Sequence, residues 1–282
     1  MFLIPVISSL AFGLAAQSAD DIPGYLARDK ADFEALWSGT WSNDRQVFFA
    51  EDAGVDSATL APKQEVLLTS SDEEGLVFAG DAGSMTSRLK LRDGGLIQTL
   101  TNADGGPACE IAWKRSGSQF AGSASGGGCA GLVSWGEKRA DGSLSLTLSE
   151  DALWFSLKPR RGTPRSAQFR RVRPFTCWVA VLRGAEHGDS GKGMSDWDFR
   201  RGVRLHDQGG IASVTTDEDP ARTVRLQLRD VDWTYGSRRP SLTLYVLGED
   251  DRAVSYSWTE GGADRIGINL RWLQASCTAD TL

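Results

Sequence analysis

The chain has 282 residues, enough to bury a core in one large domain or two small ones without a metal or disulfide staple as a precondition. With 40% hydrophobic residues, ten Trp and eleven Phe, it is not a solvated coil. A net charge of -6 argues against non-specific nucleic-acid binding, and two His with four Cys that never approach C-x-x-C spacing exclude a zinc finger or ribbon.

The apolar run 2–16 is too short for a comfortable membrane span, and Ala16-Gln17-Ser18 places small residues after it. It reads as a leader, residues 1–18, which predicts export to the periplasm or the medium and leaves no other segment of transmembrane length. Export favours pairing the even set of cysteines. Four cysteines allow three connectivities, of which Cys109–Cys129 and Cys177–Cys277 are expected: the first closes a hairpin-sized loop, the second ties the chain end to the start of its last third.

A short helix is predicted within 22–37, with Asp32 and Glu34 early and Phe33, Leu36 and Trp37 on one face, stopped by Gly39. Period-two alternation then recurs between turn residues at 46–49, 64–69, 76–79, 88–92, 96–101, 109–113, 119–122, 132–135, 144–148 and 153–157. Leu144, Leu146 and Leu148 against Ser143, Ser145 and Thr147 describe a strand buried on one face. Further strands are predicted at 177–182, 202–206, 223–231, 242–247, 253–258 and 266–273. The fold class is therefore all-β: a barrel domain over 19–176 preceded by a short helix, then an additional β-rich region over 177–282.

Three constellations attract attention. Gly39-Thr40-Trp41 stands where the helix runs into the first strand, and in small up-and-down barrels a Trp there floors the barrel beneath a basic side chain from a late strand. A basic stretch follows at Lys158, Arg160, Arg161, Arg165, Arg170, Arg171 and Arg173, with no acid between Asp151 and Glu186. If 169–175 is one strand, Phe169, Arg171, Arg173 and Phe175 share a face, and guanidinium forks beside aromatic rings suit a flat carboxylate-bearing ligand. The plainer reading is a solvated basic strand with one arginine covering the floor Trp. His206-Asp207-Gln208-Gly209-Gly210 sets a His beside an acid, but neighbours on a strand face opposite ways, so a turn is expected rather than a catalytic pair.

The order Leu36…Gly39-Thr40-Trp41-Ser42-Asn43…Gln46, then Cys109…Phe120-Ala121-Gly122…Cys129, resembles the chromophore lyase family of the CpcT and CpeT type over about residues 30–175. The resemblance implies an antiparallel calycin- or lipocalin-like barrel and an activity: holding an open-chain tetrapyrrole, a bilin, and delivering it to an acceptor protein's cysteine as a thioether. By motif it carries over to Trp41, Asn43, Gln46, Cys109 and Cys129, and Arg88 stands near the place of the family's Tyr-Arg-rich strand. Trp41, Asn43, Gln46 and Arg88, with Phe169, Arg171 and Arg173, make the candidate ligand-binding set, and the cysteines are assigned to disulfides alone. No cofactor or metal is required beyond a bilin-type tetrapyrrole as ligand, and no catalytic residue is assigned. The partners implied are a small chromophore or apolar ligand and an acceptor protein, with a homodimer admitted and no nucleic acid. The alternative is an exported, non-catalytic lipocalin-like protein that binds a small apolar or anionic ligand.

Overall fold

A computed structural model describes residues 24–55, 62–71, 75–80, 83–92, 94–102, 107–125, 129, 142–160, 163–184, 193–232, 239–248 and 250–281. The expected leader and the expected strand 132–135 lie outside the described residues. Helix α1 (Gly24–Trp37) leads into strand β1 (Gly39–Ser42) and helix α2 (Asp44–Asp52). Then come β2 (Glu65–Ser71), β3 (Gly75–Gly80), β4 (Gly83–Arg92), β5 (Gly95–Asn102), β6 (Pro107–Ser116) and β7 (Gln119–Ser125). Strands β8 (Gly142–Leu148), β9 (Ala152–Pro159) and β10 (Arg165–Arg171) complete a first set. A second comprises β11 (Pro174–Leu182), β12 (Trp197–His206), β13 (Gln208–Thr215), β14 (Thr223–Asp232), β15 (Pro240–Leu247), β16 (Ala253–Glu260), β17 (Arg265–Asn269) and β18 (Leu273–Ala279).

Strands β2 to β10 pair in sequence order, each antiparallel to the next, and β1 closes the ring by pairing with both β2 and β10. Closure leaves the barrel no free edge. The alternation in β8 and β9 turns Leu144, Leu146, Leu148, Leu153, Phe155 and Leu157 inward, all buried. The interior is filled with side chains, as in a small barrel, and among the described residues a chain of buried polar groups within it is satisfied: Trp113 Nε1 donates to Gln98 Oε1 at 3.0 Å, and Gln98 Nε2 donates to Ser87 Oγ at 3.0 Å. Helix α1 covers one end, its Phe33 packing on Trp113 and Phe120 at 5.1 and 5.3 Å between ring centroids. Arg115 pins the same helix through Asp29 and Asp32. This is the all-β architecture, a closed antiparallel barrel behind a short leading helix, that the strand pattern predicted.

Residues after the barrel form two four-stranded antiparallel sheets, β12-β11-β18-β17 and β13-β14-β15-β16, enclosing a second core that includes Phe175, Val179, Leu226, Leu244 and Leu273. Both expected disulfides are present. Cys109–Cys129 spans 20 residues beside the barrel core, and Cys177–Cys277 spans 100 and joins β11 to β18. Among the described residues no helix is long and apolar enough to cross a membrane.

Four local expectations are corrected. Residues 46–49 are helical, part of α2, whose buried Asp44 and Val47 lie three apart, a helical and not a strand spacing. Residues 169–175 are not one strand: β10 stops at Arg171 because the Val172 N–H donates to Thr40 O and Arg173 turns to Asp207. Residues 266–273 are two strands, β17 and the start of β18, turned over at Leu270–Leu273 where the Leu270 N–H donates to Leu273 O. Finally, Gln208–Gly210, expected as turn, opens strand β13.

Candidate functional site

The barrel floor is built from a local motif and one distant arginine. Trp41 is fully buried, its Nε1 donating to Trp37 O at 3.1 Å. The Arg171 guanidinium, from the end of β10, lies 4.4 Å from the Trp41 ring centroid and donates to the carbonyls of Leu36, Ser38 and Glu150. The carbonyls of Leu36 and Ser38 close the C-terminal end of α1, where a cation is favoured, and that of Glu150 belongs to the turn between β8 and β9. Gly39 makes the approach possible. Its φ of +139° suits only glycine, and a Cβ there would stand 2.6 Å from Arg171 Nη1. Burial lowers the Arg171 pKa below its ordinary value, while Glu150 and Asp151 act the other way.

Beside this floor an open groove of about 460 Å³ runs along β1, β2 and the β10–β11 link, lined by Gly39, Thr40, Leu67, Arg171, Val172 and Pro174 among others. Leu67 faces it from β2 and is 47% exposed. The groove's volume falls in the range of small-molecule sites.

The candidate ligand-binding residues divide clearly once placed. Trp41 and Phe169 are core, Phe169 packing on Phe155 at 5.7 Å. Asn43 is buried and spends both ends of its amide on the backbone, Nδ2 donating to Pro62 O and Oδ1 accepting from Gln64 N. Gln46 does the same with Ser166 O and Gln168 N, fastening α2 to β10. Arg88 is exposed and opposite Thr99, while its neighbours Ser87 and Leu89 pair across Leu100 and Gln98; it lies on the outer wall, away from the interior. Arg173 does not share a face with Arg171. It bonds Asp207 and the carbonyls of Gly262 and Ala263, and lies 5.3 Å from the Phe175 ring. The strand break at Val172 thus sends the two guanidinium groups to different units, and of the set only Arg171 lines the groove.

A second cluster, which the sequence reading passed over, sits where the barrel meets the sandwich. Asp44, at the start of α2, is almost fully buried, with Arg229 Nη2 of β14 3.1 Å from its Oδ2 and Lys63 on the other oxygen. Arg229 also lies 3.9 Å from the Phe48 ring centroid. Arg45 pairs with Asp232, and His206 Nε2 reaches Glu65 Oε2 at 3.0 Å. His206 Nδ1 accepts from Gln208 N, so the proton resides on Nε2, and that contact holds the Glu65 pKa below its usual range. Gly209 explains the glycine pair: at φ +81°, a Cβ would fall 2.1 Å from Asp44 Oδ2. The signal available in sequence was that Gly209-Gly210 follows a His-Asp pair inside a long β-rich stretch.

Within this cluster Asp230 is pushed up to about 6 by burial first and by neighbouring Asp207 second, against the pull of Arg173, Arg45 and Arg170. Burial also raises Asp207, opposed by its bond from the Arg173 backbone. Because the folded pKa exceeds the unfolded one, the fold retains a proton that the unfolded chain loses first, so stability falls as pH rises from about 4 through about 6. Asp230→Asn is expected to flatten that slope, gaining on the order of 2 kcal/mol at neutral pH relative to its effect at pH near 4. Urea titrations at the two pH values check this; parallel pH profiles for the variant and the parent would exclude it.

No known family matches the chain, and no curated protein does. Among solved structures, the T-type phycobiliprotein lyase CpeT from Prochlorococcus phage P-HM1 is similar to it. That similarity is 15% in identity, with half of this chain and 96% of the lyase covered and a TM-score of 0.34.

Proposed function

We propose that the chain is an exported, calycin-like binding protein that takes a small, mostly apolar ligand in the groove beside the barrel floor and performs no chemistry on it. The observation that carries this reading is the groove itself: Leu67, Val172 and Pro174 give it an apolar wall, and the Arg171 guanidinium supplies a positive end for a ligand with one anionic group. The cysteines support the export part of this reading: all four are held in disulfides. Disulfides suit an oxidising compartment.

A second reading, a bilin-handling protein that presents an open-chain tetrapyrrole to an acceptor cysteine, draws on the Gly39–Gln46 block and the Cys109–Cys129 spacing. In this chain those residues have structural duties: Trp41 floors the barrel, and Asn43 and Gln46 fasten backbone. Motif residues with such duties transmit a fold more directly than a chemistry.

Titration with anilinonaphthalene sulfonate, an apolar anion, separates the two. Saturable enhancement of its emission is expected, weakened about tenfold by Leu67→Glu, since a charge there replaces apolar contact and repels the anion. Leu67 is exposed, so the variant is expected to melt with the parent. Titration with a bilin is expected to leave its visible band unstructured. A shifted, structured bilin band that survives Leu67→Glu, followed by transfer to an added thiol protein, would replace the first reading with the second.

A further inference from the structure

Strand β16 is an edge of its sheet: among the described residues it pairs with β15 and nothing else. Its outer-face residues Tyr256 and Trp258 are 58% and 65% exposed, and Val254 is 56% exposed. From Ala253 to Thr259 it carries no charge and no proline. Edges of this kind invite pairing with another chain, and soluble proteins usually blunt them with charge, proline or brevity. Two other edges in the same sandwich are blunted: strand β12 carries Arg200, Arg201 and Arg204, and β17 is five residues long and starts at Arg265. Strand β13, the fourth edge, also lacks charge and proline, but its Gly209 packs against Asp44 of α2 and it exposes Ile211 alone among its large side chains, so the edge that presents aromatic rings is β16.

Its sequence is close to symmetric about Tyr256: Val254-Ser255-Tyr256-Ser257-Trp258 reads apolar, Ser, Tyr, Ser, apolar in either direction. Arg252 and Glu260 lie equally far on the two sides. Antiparallel pairing of two identical strands about Tyr256 sets Tyr256 against Tyr256, Val254 against Trp258, and the Arg252 end of each strand beside the Glu260 end of the other. Arg252 is 87% exposed and, among the described residues, its side chain pairs with Asp250 alone, at 3.5 Å, so it is available to a second acid. Tyr245 already sits 6.2 Å from Tyr256, so the seam would extend as a row of four tyrosines on one face. Cross-strand aromatic pairs and opposite charges are the contacts that stabilise such a ladder.

We infer that β16 is a dimerisation edge whose partner is a second copy of this chain, joined across a two-fold axis at Tyr256 to make one eight-stranded sheet. The two-fold is isologous, so it closes at two copies. One strand from each copy is a small interface, so association in the micromolar range is expected.

Sedimentation of the full chain from micromolar to millimolar concentration reads the mass directly. A concentration-dependent dimer is expected, lost on Tyr256→Lys, which sets two ammonium groups together at the axis. Arg252→Glu and Glu260→Arg should each weaken dimerisation about tenfold by creating two like-charge contacts, and the double variant should restore it. Tyr256→Cys adds a lone thiol and should give a disulfide-linked dimer under mild oxidation, whereas Ile211→Cys, on the far edge strand β13, should not. A monomer throughout the range, a dimer untouched by Tyr256→Lys, or a charge-swapped double variant no better than either single one would each overturn the inference.

Discussion

Replacing Cys177 and Cys277 together by alanine is expected to cost the fold about 4–5 kcal/mol, because the bond closes a loop of 100 residues and its main effect is to restrict the unfolded chain. The two residues sit directly opposite one another in the β11–β18 register, and both are buried in the second core. The loop that they close contains β12 to β17, so reduction frees most of the sandwich at once. The Cys109–Cys129 bond closes only 20 residues, and its removal is expected to cost about 3 kcal/mol on the same scale. Urea denaturation of the two double-alanine variants tests the ordering. If the short loop proves the costlier one to open, unfolded-chain entropy is not the source of the stabilisation, and local packing of the sulfurs is.

Asp44→Ala should destabilise by about 3–5 kcal/mol, the cost of leaving a buried charge without its partner. Arg229 is the charge at stake. It is 6% exposed, sandwiched between α2 and its own sheet, and burial already pulls its pKa down while Asp44 opposes the fall. Lys63, the other cation on Asp44, is half exposed and loses far less. The pair is therefore best probed as a cycle with Arg229→Met, whose side chain can fill the same space against Phe48 without a charge. The double variant should lose clearly less than the sum of the two single losses. Additive losses would mean that shape, and not the ion pair, governs the seam. Because the contact joins a barrel helix to a sandwich strand, calorimetry of Asp44→Ala is also expected to separate one transition into two.

The prediction that failed most plainly, a strand over 46–49, shows where local pattern stops. Gln46-Val47-Phe48-Phe49 is a short run rich in β-branched and aromatic residues, and four residues are too few to separate a strand from a turn of helix. What decides for a helix is distant: the backbone of residues 166–168 that receives Gln46, and Arg229, which receives Asp44 and Phe48. Gly209 and Gly210 signal a turn in sequence for a related reason: glycine there stands for conformational freedom, which Gly209 does use at φ +81°, but both also answer close packing, Gly209 against Asp44 and Gly210 against the His206 ring. Likewise nothing local to Val172 and Arg173 announces that their partners are Thr40 and Asp207.

By itself the sequence determined the all-β class, the barrel with its leading helix, the floor at Gly39-Thr40-Trp41 beneath a late arginine, and both disulfides. The class, the helix and the floor motif rest on short-range regularities: alternation sets which face is buried, and a motif placed before the first strand sets where the barrel closes; the disulfides rest on an even cysteine set in a chain expected to be exported. Only the tertiary structure decided what the arginines do. A guanidinium can serve a ligand, an acid or a carbonyl equally well, and the choice belongs to whichever group the fold brings within reach. Arg171 meets the end of α1 while still lining the groove, and Arg173 meets Asp207, from segments 133 and 34 residues away. The groove, the Asp44–Arg229 seam and the open β16 edge likewise exist only once distant strands have been laid side by side, because each is a property of a surface that no single segment of chain contains.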